Sequence, residues 1–244
     1  MERMAERYSS NNESQLTKGE RTRARLLEAA YSLFGERGYQ DTTVRDIASR
    51  AKCSVGLIYR YFPTRSAFAK ALYTDIARSF SRNVEALDGG TLSERLGVVV
   101  EALLSDVAPH KSIFVGLLGA AFDERSGASV LGDDSMELRD EMEASFRTLI
   151  EHATDAPTDE AERHSIARIL YVAHLGLLLV WTQDTSERDA NTAALVDQLL
   201  AMVSLGMPFA RLAAPNIANI AGLIDRFMVS ALPDAGGTTR PEAP

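Results

Sequence analysis

Residues 34–68 read FGERGYQDTTVRDIASRAKCSVGLIYRYFPTRSAF, and two helix starts stand close together inside them. Thr43 is the first: its hydroxyl can accept from the open N–H groups of a first turn, and Asp46 follows three positions on in the pattern of a capping box. This predicts a short helix that turns Ile47 and Ala48 inward and stops near Ala51. Ser54 is the second cap. It opens another short helix that ends around Tyr61 and Phe62, where Pro63 breaks the chain. Val44, Ile47, Ala48, Cys53, Ile58 and Phe62 fall where they pack the pair, leaving Arg45, Lys52, Val55, Leu57, Tyr59, Arg60 and Tyr61 on the outside. Helices this short do not hold themselves up, so they need a longer one to lean on. The preceding segment, 18–36, supplies it, with Leu26, Leu27, Ala30, Leu33 and Phe34 at helical spacing and Gly38 as a stop just past its end. A long helix followed by two short ones joined by a tight turn is the helix-turn-helix arrangement, whose second short helix enters the major groove of DNA.

Outward from this triplet the chain reads as helical nearly throughout, because no stretch shows sustained period-two alternation of β-branched residues. A fourth helix, 65–87, capped at Pro63 and Thr64, repeats Phe68, Leu72, Ile76 and Phe80 every fourth residue. Beyond Gly89 and Gly90 a larger helical region is expected, with helices at 91–108, 111–124, 135–152, 158–182 and 188–207 and a weaker one at 216–232. The loop 125–134, with Ser126, Gly127, Gly132 and Asp133, is turn chemistry. The expected organisation is therefore all-α: a disordered leader 1–17, a helix-turn-helix domain 18–64, a ligand-binding and dimerisation domain 65–232, and a disordered tail 233–244.

Charge divides the chain the same way. The whole carries a net −8, which taken alone argues against a nucleic-acid partner. Between Lys18 and Tyr73, however, 11 basic residues face 5 acidic ones, a net of +6, while from Thr74 onward 13 basic face 26 acidic, a net of −13. A basic head on an acidic body is expected where only one part touches DNA. The single cysteine, Cys53, excludes an intrachain disulfide and fits a reducing cytoplasm, and its apolar turn position favours packing over redox sensing. The first residues lack the apolar stretch of a signal peptide, and the longest apolar run, 169–181, contains His174 and is too short to span a bilayer. A cytoplasmic protein without a membrane partner is expected. His110, His152, His164 and His174 are scattered, and the chain has no HExxH, nucleophile elbow or phosphate-binding glycine loop. Catalysis, a metal site and a cofactor are not expected.

Across residues 21–72 the sequence resembles the TetR family of transcriptional regulators. The order aromatic-Gly-Tyr at the end of the first helix, Thr-Thr at the next cap, Ile-Ala in the second helix and Gly-x-x-Tyr-x-x-Phe in the third follows the family pattern without a gap. The resemblance implies backbone-phosphate roles for Thr43, Tyr59, Tyr61 and Arg65, and base-edge roles near Ser54, Val55, Leu57 and Arg60. The chemistry agrees, since Arg60 can read guanine O6 and N7, Leu57 or Val55 can meet a thymine methyl, and Gly56 allows close backbone approach. Arg45 and Lys52 complete the candidate interface as exposed cations. Three positions depart from the family pattern: Lys52 where a turn glycine is usual, Leu57 where a small residue is common, and Arg65 where lysine is usual.

The resemblance also implies a homodimer built on the helices 158–182 and 188–207. The first carries Ile166, Ile169, Leu170, Ala173, Leu177 and Val180, and the second Leu195, Leu199, Met202, Val203 and Leu205. Two recognition helices would then read a pseudo-palindromic double-stranded operator. Candidate residues for an effector pocket are Leu103, Val107, Phe114, Leu118, Phe122, Phe146, Ile150, Tyr171, His174 and Leu178, with Leu117, Leu175 and Trp181 nearby. Their character points to a small hydrophobic or amphipathic effector, oriented by His174, Tyr171 or Gln183. A Phe and Leu stripe at helical spacing equally describes plain core, and His174 equally a satisfied core histidine. The functional expectation is a ligand-responsive repressor released by its effector; the alternative is an activator or co-regulator that works through a protein partner without a small ligand.

Overall fold

The computed structural model describes residues 17–121, 123, 128, 129 and 135–230, and among these every regular element is helical. Four helices belong to the head and its exit: α1 (Lys18–Arg37), α2 (Val44–Arg50), α3 (Val55–Tyr61) and α4 (Ser66–Glu85). Six follow: α5 (Leu92–Val107), α6 (Lys111–Ala121), α7 (Met136–Glu151), α8 (Glu160–Gln183), α9 (Ala190–Gly206) and α10 (Ala210–Ser230). The expected leader 1–16, most of the loop 125–134 and the tail 233–244 lie outside the described residues. Thr17, expected in the leader, instead caps α1 through a reciprocal box with Glu20.

Local chemistry sets the head. Thr43 accepts from the Asp46 N–H while the Asp46 carboxylate accepts from the Thr43 N–H, at 3.2 and 2.9 Å. Ser54 caps α3 by accepting from the Leu57 N–H at 3.2 Å. Gly38 ends α1 at φ 84, in the region that a side chain would strain. Leu26, Ala30, Phe34, Ile47, Ile58 and Phe68, each fully buried, make the small core on which α2 and α3 rest. Phe62 closes it by stacking on Phe68 with ring centroids 4.1 Å apart. Arg50 adds a two-pronged pair to Glu36 across α1 and α2, at 2.7 and 2.6 Å.

Around the body, α4 packs against α5 and α7, α8 against α7 and α10, and α9 against α5. Arg95 ties three of these ends together. It is 2% exposed, and its guanidinium donates to the carbonyls of Leu149 at the end of α7 and of Gly89 past the end of α4, both at 2.9 Å. A buried arginine thus meets the negative ends of two helices, where a cation is favoured. At the opposite corner Lys111 donates to the Asp184 carbonyl at 2.7 Å, and the Trp181 indole donates to Asp189 at 2.9 Å.

One helix boundary is corrected. The last helix begins at Ala210 and not near Asn216, because the chain turns through Met207–Phe209 without leaving helical geometry and tolerates Pro215 inside. The helices expected at 158–182 and 188–207 also pack within the chain: α10 covers part of α8 and α9 leans on α5, with Leu200 beside Gly97, while α8 and α9 touch over a short stretch. Leu177 is buried, whereas Val180, Leu199, Met202 and Leu205 stay exposed. Glu160–Gln183 and Glu187–Phe209 are long and apolar enough to cross a membrane by length and composition. The apolar character of α8 is used in packing, since Ala167, Tyr171, His174, Leu177 and Trp181 along it are buried.

The head joins the body at one close approach. A Cβ on Gly116 of α6 would stand 1.9 Å from the Phe34 carbonyl oxygen of α1, and one on Gly35 would stand 2.8 Å from Ser112 Oγ. Across this contact the Tyr39 N–H donates to the Gly116 carbonyl at 2.9 Å. Only glycine at position 116 permits α1 and α6 to touch backbone to backbone.

Candidate DNA interface and effector cavity

The sequence-predicted interface residues lie on α2, α3 and the segments that flank them. Thr43, Arg45, Lys52, Ser54, Gly56, Tyr59 and Arg60 are exposed, and Val55, Leu57, Tyr61 and Arg65 are half-buried. Tyr59 stands out at 53% exposure, an aromatic that no packing role explains. Val55 and Tyr61 lean on the head core, and the Tyr61 hydroxyl lies beside Gly19 in the first turn of α1. Lys52 sits in the turn at φ 50, so the backbone takes the left-handed conformation that glycine would take freely and a lysine side chain resists. Gly56 has open space where a Cβ would be, with only Ser54 Oγ at 4.0 Å, so nothing inside the protein requires glycine there.

Arg65 has a role that the resemblance did not imply. One guanidinium nitrogen donates to the carbonyls of Gln40 at 3.1 Å and Thr42 at 2.9 Å, and the group lies 4.1 Å over the Tyr39 ring. Arg65 therefore braces the segment that leads into the Thr43 cap.

Behind the head, α4, α6, α7 and α8 line a cavity of about 100 Å³. Tyr73, Ile76 and Ala77 line it from α4, and Phe114, Leu117 and Ala121 from α6. Leu138, Arg139 and Met142 line it from α7, and Tyr171, His174, Leu175, Leu178, Leu179 and Thr182 from α8. Of the predicted pocket residues, Phe114, Tyr171, His174 and Leu178 stand in this wall. Leu103, Val107, Phe146 and Ile150 do not: each is at most 2% exposed and spent in the packing of α5 and α7. Phe146 stacks against Phe80 and His174 at 4.9 and 5.6 Å. Phe122 and the side chain of Leu118 lie outside the described residues. Gln183 is exposed.

The polar groups of the wall are uncharged except Arg139. Burial pushes the His174 imidazole down to about 4, so the ring is neutral near pH 7. Its Nδ1 lies 2.6 Å from the Tyr171 carbonyl, which makes Nδ1 the donor and leaves Nε2 an acceptor. Burial raises both the Tyr73 and Tyr171 phenols, keeping them protonated. Thr182 donates to the Leu179 carbonyl at 2.7 Å. The Tyr73 hydroxyl is buried and has no hydrogen-bond partner.

Residues 26–72 match the family profile for bacterial regulatory proteins of the tetR family. The HTH-type transcriptional repressor KstR of Mycobacterium tuberculosis is 30% identical over 176 residues, covering 69% of this chain and 75% of that protein. This chain belongs to the TetR family. The HTH-type regulator HbdR of an Aromatoleum strain is 51% identical, but over 43 residues only, 18% of this chain and 19% of its own. Among solved structures, Salmonella enterica GusR superposes with a TM-score of 0.61 at 20% identity, over 78% of this chain and 97% of that one. A tetR-family regulator from Streptomyces coelicolor gives 0.56 at 21%, over 89% and 92%. These two likenesses carry the fold. The named relatives are transcriptional regulators and not enzymes.

In this TetR-family chain, sequence reasoning missed Tyr73, Ile76 and Ala77 as cavity residues, although their i, i+3, i+4 spacing on one helix face was readable. It also missed Ala121, Leu138, Arg139, Met142, Leu179 and Thr182, and the close approach at Gly116. A glycine inside an otherwise apolar helix was the one available signal for the last.

Proposed function

We propose that this chain is a ligand-responsive transcriptional repressor that binds a pseudo-palindromic operator as a homodimer and is released by a small, apolar effector. The observation that carries the reading is one of connectivity. The cavity wall is made partly of α4, whose start at Ser66 adjoins the head, and partly of α6, which touches α1 at Gly116. An effector that displaces either helix moves the head. A coupling of about 1–3 kcal/mol between effector and operator is enough for regulation.

At the operator, Arg60 reads a guanine edge and Leu57 or Val55 a thymine methyl, with Ser54 at the base-facing start of α3. Thr43, Arg45, Lys52, Tyr59 and Tyr61 meet phosphates, Gly56 admits the backbone, and Arg65 holds the entry to α2 while lying close to the same strand. The dimer reading draws support from the apolar side chains left in the open, among them Leu205 at 74% and Leu212 at 82% exposure. The relative named a repressor supports the direction of regulation.

DNA selected from a random pool by the purified chain tests the proposal, together with its mass in solution. A dimer that enriches one two-fold symmetric sequence, with half-sites one helical turn apart, is expected. A strictly monomeric chain, or a pool that stays random, overturns it.

A further inference from the structure

We infer that the first two turns of α1 form a second phosphate-binding surface, on which Lys18, Arg21, Arg23 and Arg25 hold the DNA backbone beside the bases that α3 reads. This rests on the operator reading above and extends its footprint to residues outside the helix-turn-helix pair.

Charge singles out the segment. From Lys18 to Arg25 four basic residues face one acidic residue, a net of +3, half the +6 of the whole head. The one carboxylate, Glu20, is committed to the helix cap, where it accepts from the Thr17 N–H at 2.7 Å and from the Thr17 hydroxyl at 2.8 Å. The four cations are exposed, and among the described residues none of their side chains has an ion pair or a hydrogen bond. Lys18, Arg21 and Arg25 stand at i, i+3 and i+7, so they share one stripe of the helix. Like charges at such spacings repel and cost a helix stability. A row of phosphates turns that repulsion into attraction, because each phosphate neutralised by a cation releases bound counterions.

Position supplies the second half of the argument. With seven residues, α3 is about 10 Å long against a major groove about 12 Å wide, so an element that touches either end of α3 lies near the phosphates bordering the groove. The start of α1 touches the far end of α3 twice. The hydroxyl of Tyr61, the last residue of α3, lies 3.7 Å from the place that a Cβ on Gly19 would take. The Arg23 guanidinium stands 5.4 Å over the ring of Phe62, the next residue along. That stack uses the face of the guanidinium and leaves its N–H edge to meet a phosphate.

Salt dependence tests the inference, because it counts phosphate contacts. Lys18→Gln, Arg21→Gln and Arg25→Gln, singly and together, are compared with the parent chain across a salt series. Two duplexes serve as probes: one of mixed sequence and the symmetric sequence enriched from the random pool. Each substitution should make the plot of log affinity against log salt shallower by about 0.9 for every copy of the chain bound, and weaken binding about fivefold per lost contact near physiological salt. Both duplexes should weaken by the same factor, whereas Arg60→Ala should narrow the difference between them. The variants should melt no lower than the parent, because the residues removed are exposed and repel one another. Arg82→Gln is the control. It removes an exposed cation of α4 about 24 Å along the helix from Ser66 and should leave the slope as it is. A triple variant with the parent's slope, or a control that flattens the slope as much as Arg21→Gln, overturns this inference and leaves the operator reading standing. A parent chain that binds neither duplex overturns both.

Discussion

The head and the cavity are built on opposite principles. In the head, each turn is specified by residues three or four positions apart: Thr17 with Glu20, Thr43 with Asp46, Ser54 with the Leu57 N–H. In the cavity, the wall comes from four helices whose contributing residues run from Tyr73 to Thr182. The lesson is that a DNA-reading surface can be set by a short segment folding on itself, whereas a ligand site depends on how distant helices come to rest. Gly116 is the point where the two constructions meet, and the sharpest tests act there.

The largest effect is expected from Gly116→Ala. Its methyl would overlap the Phe34 carbonyl at 1.9 Å, so α1 and α6 must separate, and a loss of about 3 kcal/mol or more is expected by chemical denaturation. Gly56→Ala is its control in the head, since open space receives the methyl; thermal stability should hold while operator affinity falls. If both variants behave alike, the contrast between the two regions is broken.

Next comes a pH effect confined to the cavity. The His174 value in the folded chain, about 4, lies below the ordinary 6.5, so the unfolded chain takes up the proton first as pH falls. Stability from this group is therefore complete above about pH 6.5 and is lost progressively toward pH 4, by about 3 kcal/mol in all. Melting curves of the parent and of His174→Gln should converge as the pH is lowered through that window. Parallel curves would mean that the imidazole is not desolvated.

In the head, Arg65→Ala removes two donated hydrogen bonds and the stack on Tyr39. About 2 kcal/mol of stability should go with them, and with it the fixed entry to α2, read as a lower melting temperature and weaker operator binding. Arg65→Lys should recover only part, because an ammonium cannot lie flat on the ring. The smallest effect has the opposite sign. Lys52→Gly relieves the left-handed turn at φ 50 and should raise stability by about 1 kcal/mol while removing an exposed cation from the proposed DNA interface. A variant that melts lower would show that the turn is not strained.

Legibility in the sequence followed the same division. The caps at Thr43 and Ser54, the inward Ile47 and Ile58, and the outward Tyr59 and Arg60 were readable because each depends on near neighbours. Helix spacing also made Phe114, Tyr171 and His174 readable as apolar-face residues, but nothing in that spacing separates a cavity wall from plain packing. Leu103 and Phe146 have the same pattern and ended in solid core. Arg65 read as a surface cation, and only the position of the Gln40 and Thr42 carbonyls revealed it as a brace.

By itself, then, the order of residues determined an all-helical chain with a basic reading head, because capping, periodicity and local charge act over one or two turns. Three-dimensional packing alone decided which helices cover one another, that α10 rather than α9 lies along α8, and that Tyr73, Phe114 and His174 come to line one cavity. The physical reason is that apolar burial has no direction: it requires a helix face to be covered and leaves the choice of cover to shape.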